Sequence, residues 1–201
     1  MNQVMQKILT LFNNNHGYAK MQELKDAGIH TRDVASALQS GVIEKFAPGK
    51  YKLINYPWDE FSSFTDIAFV RTDAVVCLQS AAEYHGLTTY NPSVVAVAVP
   101  KGSRGISLSH PPVSVHFFSP DQYKTEILTV KAAGGEFSVY SMEKTVVDLF
   151  RFRNKAGMDL VLEVLKSYLS RKDRNINLLL HYARKFRVYS ILNASVKAMV
   201  V

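Results

Sequence analysis

The sequence predicts an α+β fold in which an N-terminal winged helix-turn-helix precedes a mixed α+β C-terminal domain with a small sheet and a helical C-terminus. Short amphipathic helical segments separated by glycines come first, and a strand-like pair flanking a Pro-Gly turn follows them. Beyond Pro57 the chain shows helical, then alternating, then again helical patterns. We therefore predict two domains, 1–56 and 57–201.

Composition and length are those of a globular protein. The chain has 201 residues, 47% of them hydrophobic and 20% charged. A single cysteine, Cys77, excludes an internal disulfide. The N-terminus lacks a leader pattern, and the sequence contains no apolar run of about 18 residues. We expect a soluble cytoplasmic protein that does not associate with membranes.

The net charge of +7 is unevenly distributed. Residues 1–57 carry seven basic and four acidic side chains, residues 58–144 carry six and nine, and residues 145–201 carry eleven and four. Two basic ends around an acidic middle indicate two anion contacts, or one DNA contact and one partner contact. A solvated surface explains the C-terminal cluster equally well. That cluster includes a possible second basic patch, formed by Arg184, Lys185 and Arg187.

Three short helices are predicted before residue 41. Apolar residues at helical spacing from Val4 indicate the first, and the second runs over 20–27. Gly28 then supplies a tight turn. Thr31 can cap the third helix, which extends through Ser40. Its expected inward-facing residues are Val34, Ala35 and Leu38.

A β-hairpin follows the third helix and forms the predicted wing. Residues 42–46 and 51–54 are strand-like, and they flank the turn at 47–50, which contains Pro and Gly. A basic wing of this kind can lie along a phosphate backbone. The expected backbone contacts are Lys45, Lys50 and Lys52.

The outward face of the third helix carries side chains that can read bases or contact phosphates: Thr31, Arg32, Ser36 and Gln39. An arginine can bond guanine O6 and N7, and a glutamine can pair with adenine. Asp33 lies among them and would repel phosphate, unless it accepts from cytosine or orients Arg32. The alternative is a winged helix used for protein contact.

The C-terminal region begins with three predicted helices, over 61–71, over 74–78 and from a capping box at 80–83 to Gly86. The predicted sheet has strands at 94–99, 113–118, 127–130 and 137–140. Helical patterns return from Met142 to the end of the chain.

No pattern in the sequence predicts catalysis. Ser141 and Lys144 match S-x-x-K, but the companion motifs of that enzyme class are missing, and Ser141 is expected to cap a helix. The histidines lack metal-ligand spacing, and 101–105 lacks the spacing of a phosphate loop. We expect a protein that is not an enzyme and has no catalytic residue, metal or cofactor. A deep pocket lined by Ser141, Lys144 and His85 would instead indicate an enzyme.

Several motifs together resemble the AbiEi antitoxins. In the N-terminal region these are Gly28-Ile29, Gly41 and Pro48-Gly49-Lys50-Tyr51. Further along they are 77–88 (CLQSAAEYHGLT), 142–151 (MEKTVVDLFR) and 180–185 (LHYARK). The wing motif alone is weak, but the combination is specific and follows the family's order over nearly the whole chain.

The resemblance implies the antitoxin of a bacterial abortive-infection system against phage, classed as a type IV toxin–antitoxin system. It implies an N-terminal domain that binds double-stranded DNA at inverted repeats in its own promoter, as a monomer or weak dimer. It also implies a C-terminal domain that counters a nucleotidyltransferase-like toxin without requiring a stable complex. The alternative is an interaction module whose basic C-terminal face binds an acidic protein or RNA without sequence-specific DNA binding.

Overall fold

The structure, a computed structural model, describes residues 3–108 and 110–200. The chain folds into two compact units. Unit 1 comprises Met1–Thr72, Gly105–Pro112 and Val130–Phe137, and unit 2 comprises Asp73–Arg104, Val113–Thr129 and Ser138–Val201. The predicted boundary after residue 56 lies inside unit 1. A separate functional role for 1–56 stays a prediction.

Unit 1 begins with the predicted helices and wing, which the structure confirms. Its elements are α1 (Gln3–Asn14), β1 (Tyr18–Lys20), α2 (Met21–Asp26), α3 (Thr31–Gln39), β2 (Ile43–Ala47), β3 (Lys50–Leu53) and α4 (Ser62–Val70). The three strands form an antiparallel sheet in the order β1-β3-β2. Strand β1 was not predicted, because three residues are too few to show a period. It completes the winged helix-turn-helix by pairing with the wing.

Helix α3 differs from its prediction in phase and in its cap. Val34 and Ala37 are buried, whereas Ala35 is exposed. The prediction that Ala35 faces inward is therefore wrong. Val34 and Ala37 are three residues apart and share the buried face of the helix, and Ala35 lies outside that face. The N-cap is His30, so Thr31 is the first helical residue and not the cap. The expected turn at Gly28 is confirmed by its φ of +70°.

A second, mixed sheet has five strands in the order β6-β5-β4-β8-β7. Its strands are β4 (Val75–Val76), β5 (Val95–Pro100), β6 (Val113–Phe118), β7 (Ile127–Ala132) and β8 (Gly135–Tyr140). Strand β4 runs antiparallel to β5 and parallel to β8, and β5 runs parallel to β6. The four predicted strands are confirmed, and β4 adds a fifth.

The helices of the C-terminal region are α5 (Leu78–Tyr84), α6 (Pro120–Lys124), α7 (Met142–Arg151), α8 (Arg153–Ala156), α9 (Met158–Ser170), α10 (Ile176–Lys185) and α11 (Tyr189–Val200). Helix α7 lies deepest, since all its residues from 143 to 150 are buried. The hydrophobic core around α7 contains residues of β5, α9 and α10. An α+β architecture with a helical C-terminus is thus confirmed.

One predicted helix of this region is wrong, and another is confirmed but begins earlier than predicted. The predicted helix over 74–78 contains β4, because a run of five apolar residues fits a buried strand as well as a helix. The predicted capping box at 80–83 is not used either, since α5 already begins at Leu78. Ser80 is buried within that helix, and its Oγ accepts a hydrogen bond from Ala96 N at 2.9 Å.

Candidate nucleic-acid interface

Helix α3 presents the predicted groove-reading residues to solvent. Val34 and Ala37 anchor its inner side in the core of unit 1. The opposite side exposes Thr31, Arg32, Ser36 and Gln39. Residues 32, 36 and 39 share one helical face, because spacings of four and three residues return to the same side. These side chains can therefore enter a groove together without disturbing the core.

Asp33 has a structural explanation. Its Oδ2 accepts a hydrogen bond from the backbone N–H of His30 at 3.2 Å, which satisfies an amide at the start of α3. Its other oxygen lies 3.8 Å from Nε of Arg32, whose side chain is 83% exposed. Asp33 thus caps the helix and lies beside the Nε end of the Arg32 guanidinium. The guanidinium of Arg32 stays accessible to a ligand.

The wing is held against the helix-turn-helix through its turn. Gly49 adopts a φ of +66°, and its carbonyl accepts a hydrogen bond from Met21 N at 2.8 Å, at the start of α2. A register shift between Lys45 and Ala47 bulges strand β2 at Phe46. Lys45 is exposed, and neither a hydrogen bond nor an ion pair involves its ammonium group within the described residues. Lys45 is therefore the accessible cation of the wing.

Lys50, a second predicted phosphate contact, forms hydrogen bonds with helix α4. Its Nζ donates hydrogen bonds to the carbonyls of Phe69 at 2.9 Å and Val70 at 2.8 Å. The ammonium group also lies 5.5 Å from the centre of the Phe69 ring. Burial, followed by the charge of Lys20, lowers the pKa of Lys50. Its position at the carbonyl end of α4 is one that a helix dipole favours.

Lys52, the third wing lysine, forms an ion pair with the same helix. Its Nζ lies 2.7 Å from Oδ2 of Asp66 and 3.4 Å from Oε1 of Glu44, and its side chain is only 14% exposed. The other oxygen of Asp66 accepts a hydrogen bond from the hydroxyl of Tyr18 at 2.7 Å. Strands β1 and β3 are thereby bonded to α4 through one buried carboxylate.

Burial governs the titration of this cluster. Loss of water raises the pKa of Asp66, while the hydrogen bonds from Lys52 and Tyr18 oppose that rise. Burial and the neighbouring Asp66 also raise the pKa of Tyr18. The rings of Phe46 and Trp58 lie 5.6 and 5.5 Å from the Lys52 ammonium. These contacts are those of a packed structural centre, so Lys52 is poorly placed to release its partners for phosphate.

Sequence reasoning missed Asp66 because its partner lies 14 residues away in the chain and on another element. It also passed over Lys25, which is exposed in the last turn of α2. The first helix of a helix-turn-helix crosses the DNA backbone, so a cation there is a candidate phosphate contact. The position of Lys25 before the Gly28 turn is the signal that could have identified it.

The predicted second basic patch is only partly available. The guanidinium of Arg184 lies 4.3 Å from the centre of the Tyr189 ring. The ammonium of Lys185 lies 2.8 Å from Oδ1 of Asp121 and 3.1 Å from Oγ1 of Thr125. Arg187 is exposed and has a φ of +61°. Arg187 is therefore the member of the patch with the fewest contacts of its own.

The S-x-x-K residues belong to the core of unit 2. Ser141 caps α7, and its Oγ accepts a hydrogen bond from Lys144 N at 3.3 Å. The Lys144 ammonium is fully buried and ion-paired with Asp148. It faces the ring of Tyr140, whose centre lies 4.2 Å away. Burial lowers the pKa of Lys144 and raises that of Asp148, and each charge offsets the shift of the other.

His85 also has a structural contact, because its Nε2 lies 2.7 Å from the carbonyl oxygen of Tyr140. In the described part of the chain, the cavities beside β6, between α9 and α11, and along α1 are lined by neither His85 nor Ser141 nor Lys144. Within that part, no group of three or more His, Cys, Asp or Glu side chains is arranged to hold a metal ion. None of its helices is long and apolar enough to span a membrane.

The fold and its exposed recognition helix define a protein with a winged helix-turn-helix, a class built to place one helix in a DNA groove. In comparison with known proteins, residues 6–54 match the family model described as "Transcriptional regulator, AbiEi antitoxin". The predicted resemblance is thereby confirmed for the N-terminal region. The match supports a role as a DNA-binding regulator of antitoxin type. No curated protein matches the sequence.

A solved structure shares the fold of nearly the whole chain. The crystal structure of the RV2827C protein from Mycobacterium tuberculosis superposes with a TM-score of 0.66 and 13% sequence identity. The superposition covers 97% of this chain and 78% of that one. At this identity the likeness concerns the fold.

Proposed function

We propose that the chain is an antitoxin that represses its own operon by binding inverted repeats in its promoter. The observation that carries this proposal is the exposed face of α3, where Arg32, Ser36 and Gln39 stand on a helix of the AbiEi-matched region. Arg32 reads guanine, Gln39 reads adenine, and Ser36 bonds a base edge or a phosphate, with Thr31 at the start of the helix. No catalytic step is part of the proposal.

The proposed backbone contacts are those cations of α2 and the wing whose ammonium groups make neither a hydrogen bond nor an ion pair within the described residues. Lys45 on the wing and Lys25 on α2 meet this condition within the described residues. Lys50 and Lys52 bond α4 instead, so phosphate contact from them would require breaking hydrogen bonds of 2.7 to 2.9 Å. An inverted-repeat operator would be filled by two chains, as monomers or a weak dimer.

The remaining part of the proposal concerns the toxin. We propose that the C-terminal domain, 57–201, counteracts a nucleotidyltransferase-like toxin in phage defence without a stable complex. What supports this part is the motif resemblance of 77–88, 142–151 and 180–185, which lie in or beside the core of unit 2. DNA binding and neutralisation would then depend on different residues.

Titration of promoter DNA with the full chain at two salt concentrations tests the DNA-binding part. Affinity should fall steeply with salt, because each phosphate contact releases a condensed counterion. Arg32→Ala should weaken operator binding by about 1–3 kcal/mol. Lys172→Ala is the matched control, since it removes an exposed cation far along the sequence. Binding that is indifferent both to salt and to Arg32→Ala would contradict the proposal.

Co-expression of the Arg32→Ala protein with a nucleotidyltransferase-like toxin tests the division of roles. Cells should remain protected while repression is lost. Loss of protection by a folded Arg32→Ala protein would show that α3 also serves neutralisation. Salt-dependent binding that depends on Arg184 and Arg187 but not on Arg32 would favour the interaction module with a basic C-terminal face.

A further inference from the structure

Strand β6 lies at an edge of the five-stranded sheet. It pairs in parallel with β5 along its whole length, from Val113 to Phe118, and no other strand in the described residues pairs with it. Its sequence, VSVHFF, contains neither lysine nor proline. Natural edge strands are commonly protected by such residues, because unpaired backbone groups invite another strand. Strand β7, at the opposite edge, does carry one, Lys131.

The open edge of β6 presents a defined set of backbone groups. The carbonyl of Phe118 accepts a hydrogen bond from Lys101 N at 2.8 Å, so the main chain of Phe118 faces β5. Since backbone groups alternate in direction along a strand, those of Val115 and Phe117 face outward. Within the described residues these outward groups make no hydrogen bond. The side chain of Phe117 is also 50% exposed.

A cavity of about 740 Å³ adjoins this edge strand. It is lined by three consecutive β6 residues, Ser114, Val115 and His116. Ser114 and His116 point to the same face of the sheet, where the Ser114 hydroxyl lies 3.3 Å from Nε2 of His116, and Val115 between them also belongs to the lining. Phe152 and Tyr90 line the cavity elsewhere, and the ring of Phe152 lies 5.5 Å from that of His116.

The charges at this cavity favour a basic side chain. Glu163 lines it and is fixed by the hydroxyl of Thr88 at 2.8 Å and the amide of Thr89 at 3.2 Å. Asp159 lines it too, and its exposed carboxylate has no ion-pair partner in the described part of the chain. Lys155 is the one ammonium group among the lining residues. Two carboxylates therefore face the cavity against one cation.

The remaining lining groups suit the same ligand. Burial, followed by the charge of Lys155, lowers the pKa of His116, which keeps that imidazole neutral at neutral pH. The rings of Tyr90 and Phe152 offer faces to which a guanidinium or ammonium group is attracted. Tyr90 is 53% exposed and can be reached from solvent.

We propose that β6 accepts an extended segment of another protein as an additional strand, with an arginine or lysine side chain of that segment in the cavity. Backbone hydrogen bonds to Val115 and Phe117 supply the affinity. Asp159 and Glu163 supply the preference for a basic side chain. Apolar residues at the alternate positions of the segment cover Phe117. This surface is distinct from α3 and does not depend on DNA binding.

The probe is a labelled peptide, Thr-Val-Arg-Val-Thr-Val, whose arginine and valines alternate between the two faces. Fluorescence anisotropy with the full chain should show saturable binding. Replacing the arginine by glutamate should weaken binding by about tenfold or more, and N-methylation of alternate peptide amides should abolish it, because donors to the strand are lost. The N-methylated peptide leaves the protein unchanged, so this arm does not depend on a variant that folds.

Two protein variants complete the test. Val115→Pro removes an outward N–H without removing a bond to β5, and it should abolish binding, whereas Val115→Thr keeps that N–H and should bind like the wild type. Asp159→Asn should reduce the preference for arginine over glutamate. The proposal is overturned by equal binding of the arginine and glutamate peptides, or by no saturation up to about 1 mM. Concentration-dependent dimerisation lost in Val115→Pro would overturn it in favour of a second copy of this chain.

Discussion

Helix α3 and strand β3 both belong to the winged helix, both carry cations, and they use them in opposite ways. Arg32 on α3 has a side chain that is 83% exposed, while that of Lys52 on β3 is 14% exposed and ion-paired at 2.7 Å. Lys50 likewise donates to the carbonyl end of α4. Basic residues in a sequence are therefore not equivalent to accessible charge. We expect electrostatic contact with DNA from the cations that the fold leaves exposed, including Arg32, although the Asp33 carboxylate lies 3.8 Å from its Nε.

The largest expected effect concerns the stability role of Lys52. Lys52→Met should lower the free energy of unfolding by about 3 kcal/mol, because it leaves the buried carboxylate of Asp66 without its cation. Lys45→Met, on the same wing, should change it by less than about 0.5 kcal/mol, since that side chain is exposed. Urea unfolding followed by circular dichroism measures both. Equal stability of the two variants would contradict the claim that Lys52 stabilises the fold and Lys45 does not.

The second effect concerns the proposed recognition of DNA by Arg32. Arg32→Lys keeps the positive charge but loses the bidentate fork, so operator affinity should fall by about 1–2 kcal/mol while affinity for random DNA stays the same. Competition titrations with operator and scrambled duplexes measure the two quantities. An equal loss on both duplexes would mean that Arg32 contacts phosphate and not a base edge.

The third effect is a pH dependence that exposes the role of Asp66. Lys52 normally opposes the burial-driven rise in the pKa of Asp66, so Lys52→Met should raise that pKa further. A folded-state pKa above the unfolded value means that the folded state binds more protons, and stability is then lost as pH rises through the folded-state pKa. The destabilisation by Lys52→Met should therefore be largest at neutral pH and shrink toward pH 4. Unfolding curves across that range, with Asp66→Asn as the pH-insensitive reference, measure it. A destabilisation that grows toward acid pH would contradict this assignment.

The smallest effect concerns Lys45 as a backbone contact. Lys45→Met should weaken binding to operator and to random DNA alike and reduce the salt slope of the binding constant by about 1. Titrations at several salt concentrations measure that slope. If the slope of Lys45→Met matches the wild-type slope, the wing does not touch phosphate.

Sequence patterns predict which helices and strands exist better than they predict the bounds of each element and the face that it buries. The helices of the winged helix and the long strands carry clear periods, so their existence followed from residue order. The phase of α3 was misjudged at Ala35, since alanine is compatible with either side of a helix. Strand β4 and the start of α5 were misjudged because the run from 74 to 78 is uniformly apolar and has no period to read.

The site was predicted less completely than the fold, for a physical reason. Exposure of Arg32, Ser36 and Gln39 follows from local helical geometry, which a sequence encodes directly. The bonds from Lys50 and Lys52 to α4 are tertiary contacts, and nothing in the local pattern of the wing indicates them. The hydrogen bond from Tyr18 to Asp66 joins residues 48 apart and is equally invisible to local rules.

The most direct test of this account is a parallel operator titration of Arg32→Ala and Lys52→Met, with circular dichroism showing that each protein is folded at the measuring temperature. We expect Arg32→Ala to lose operator affinity by about fivefold or more, while folded Lys52→Met binds within about threefold of the wild type. A folded Lys52→Met protein that loses as much affinity as Arg32→Ala would contradict it, because the wing lysine would then be reaching phosphate despite its contact with Asp66.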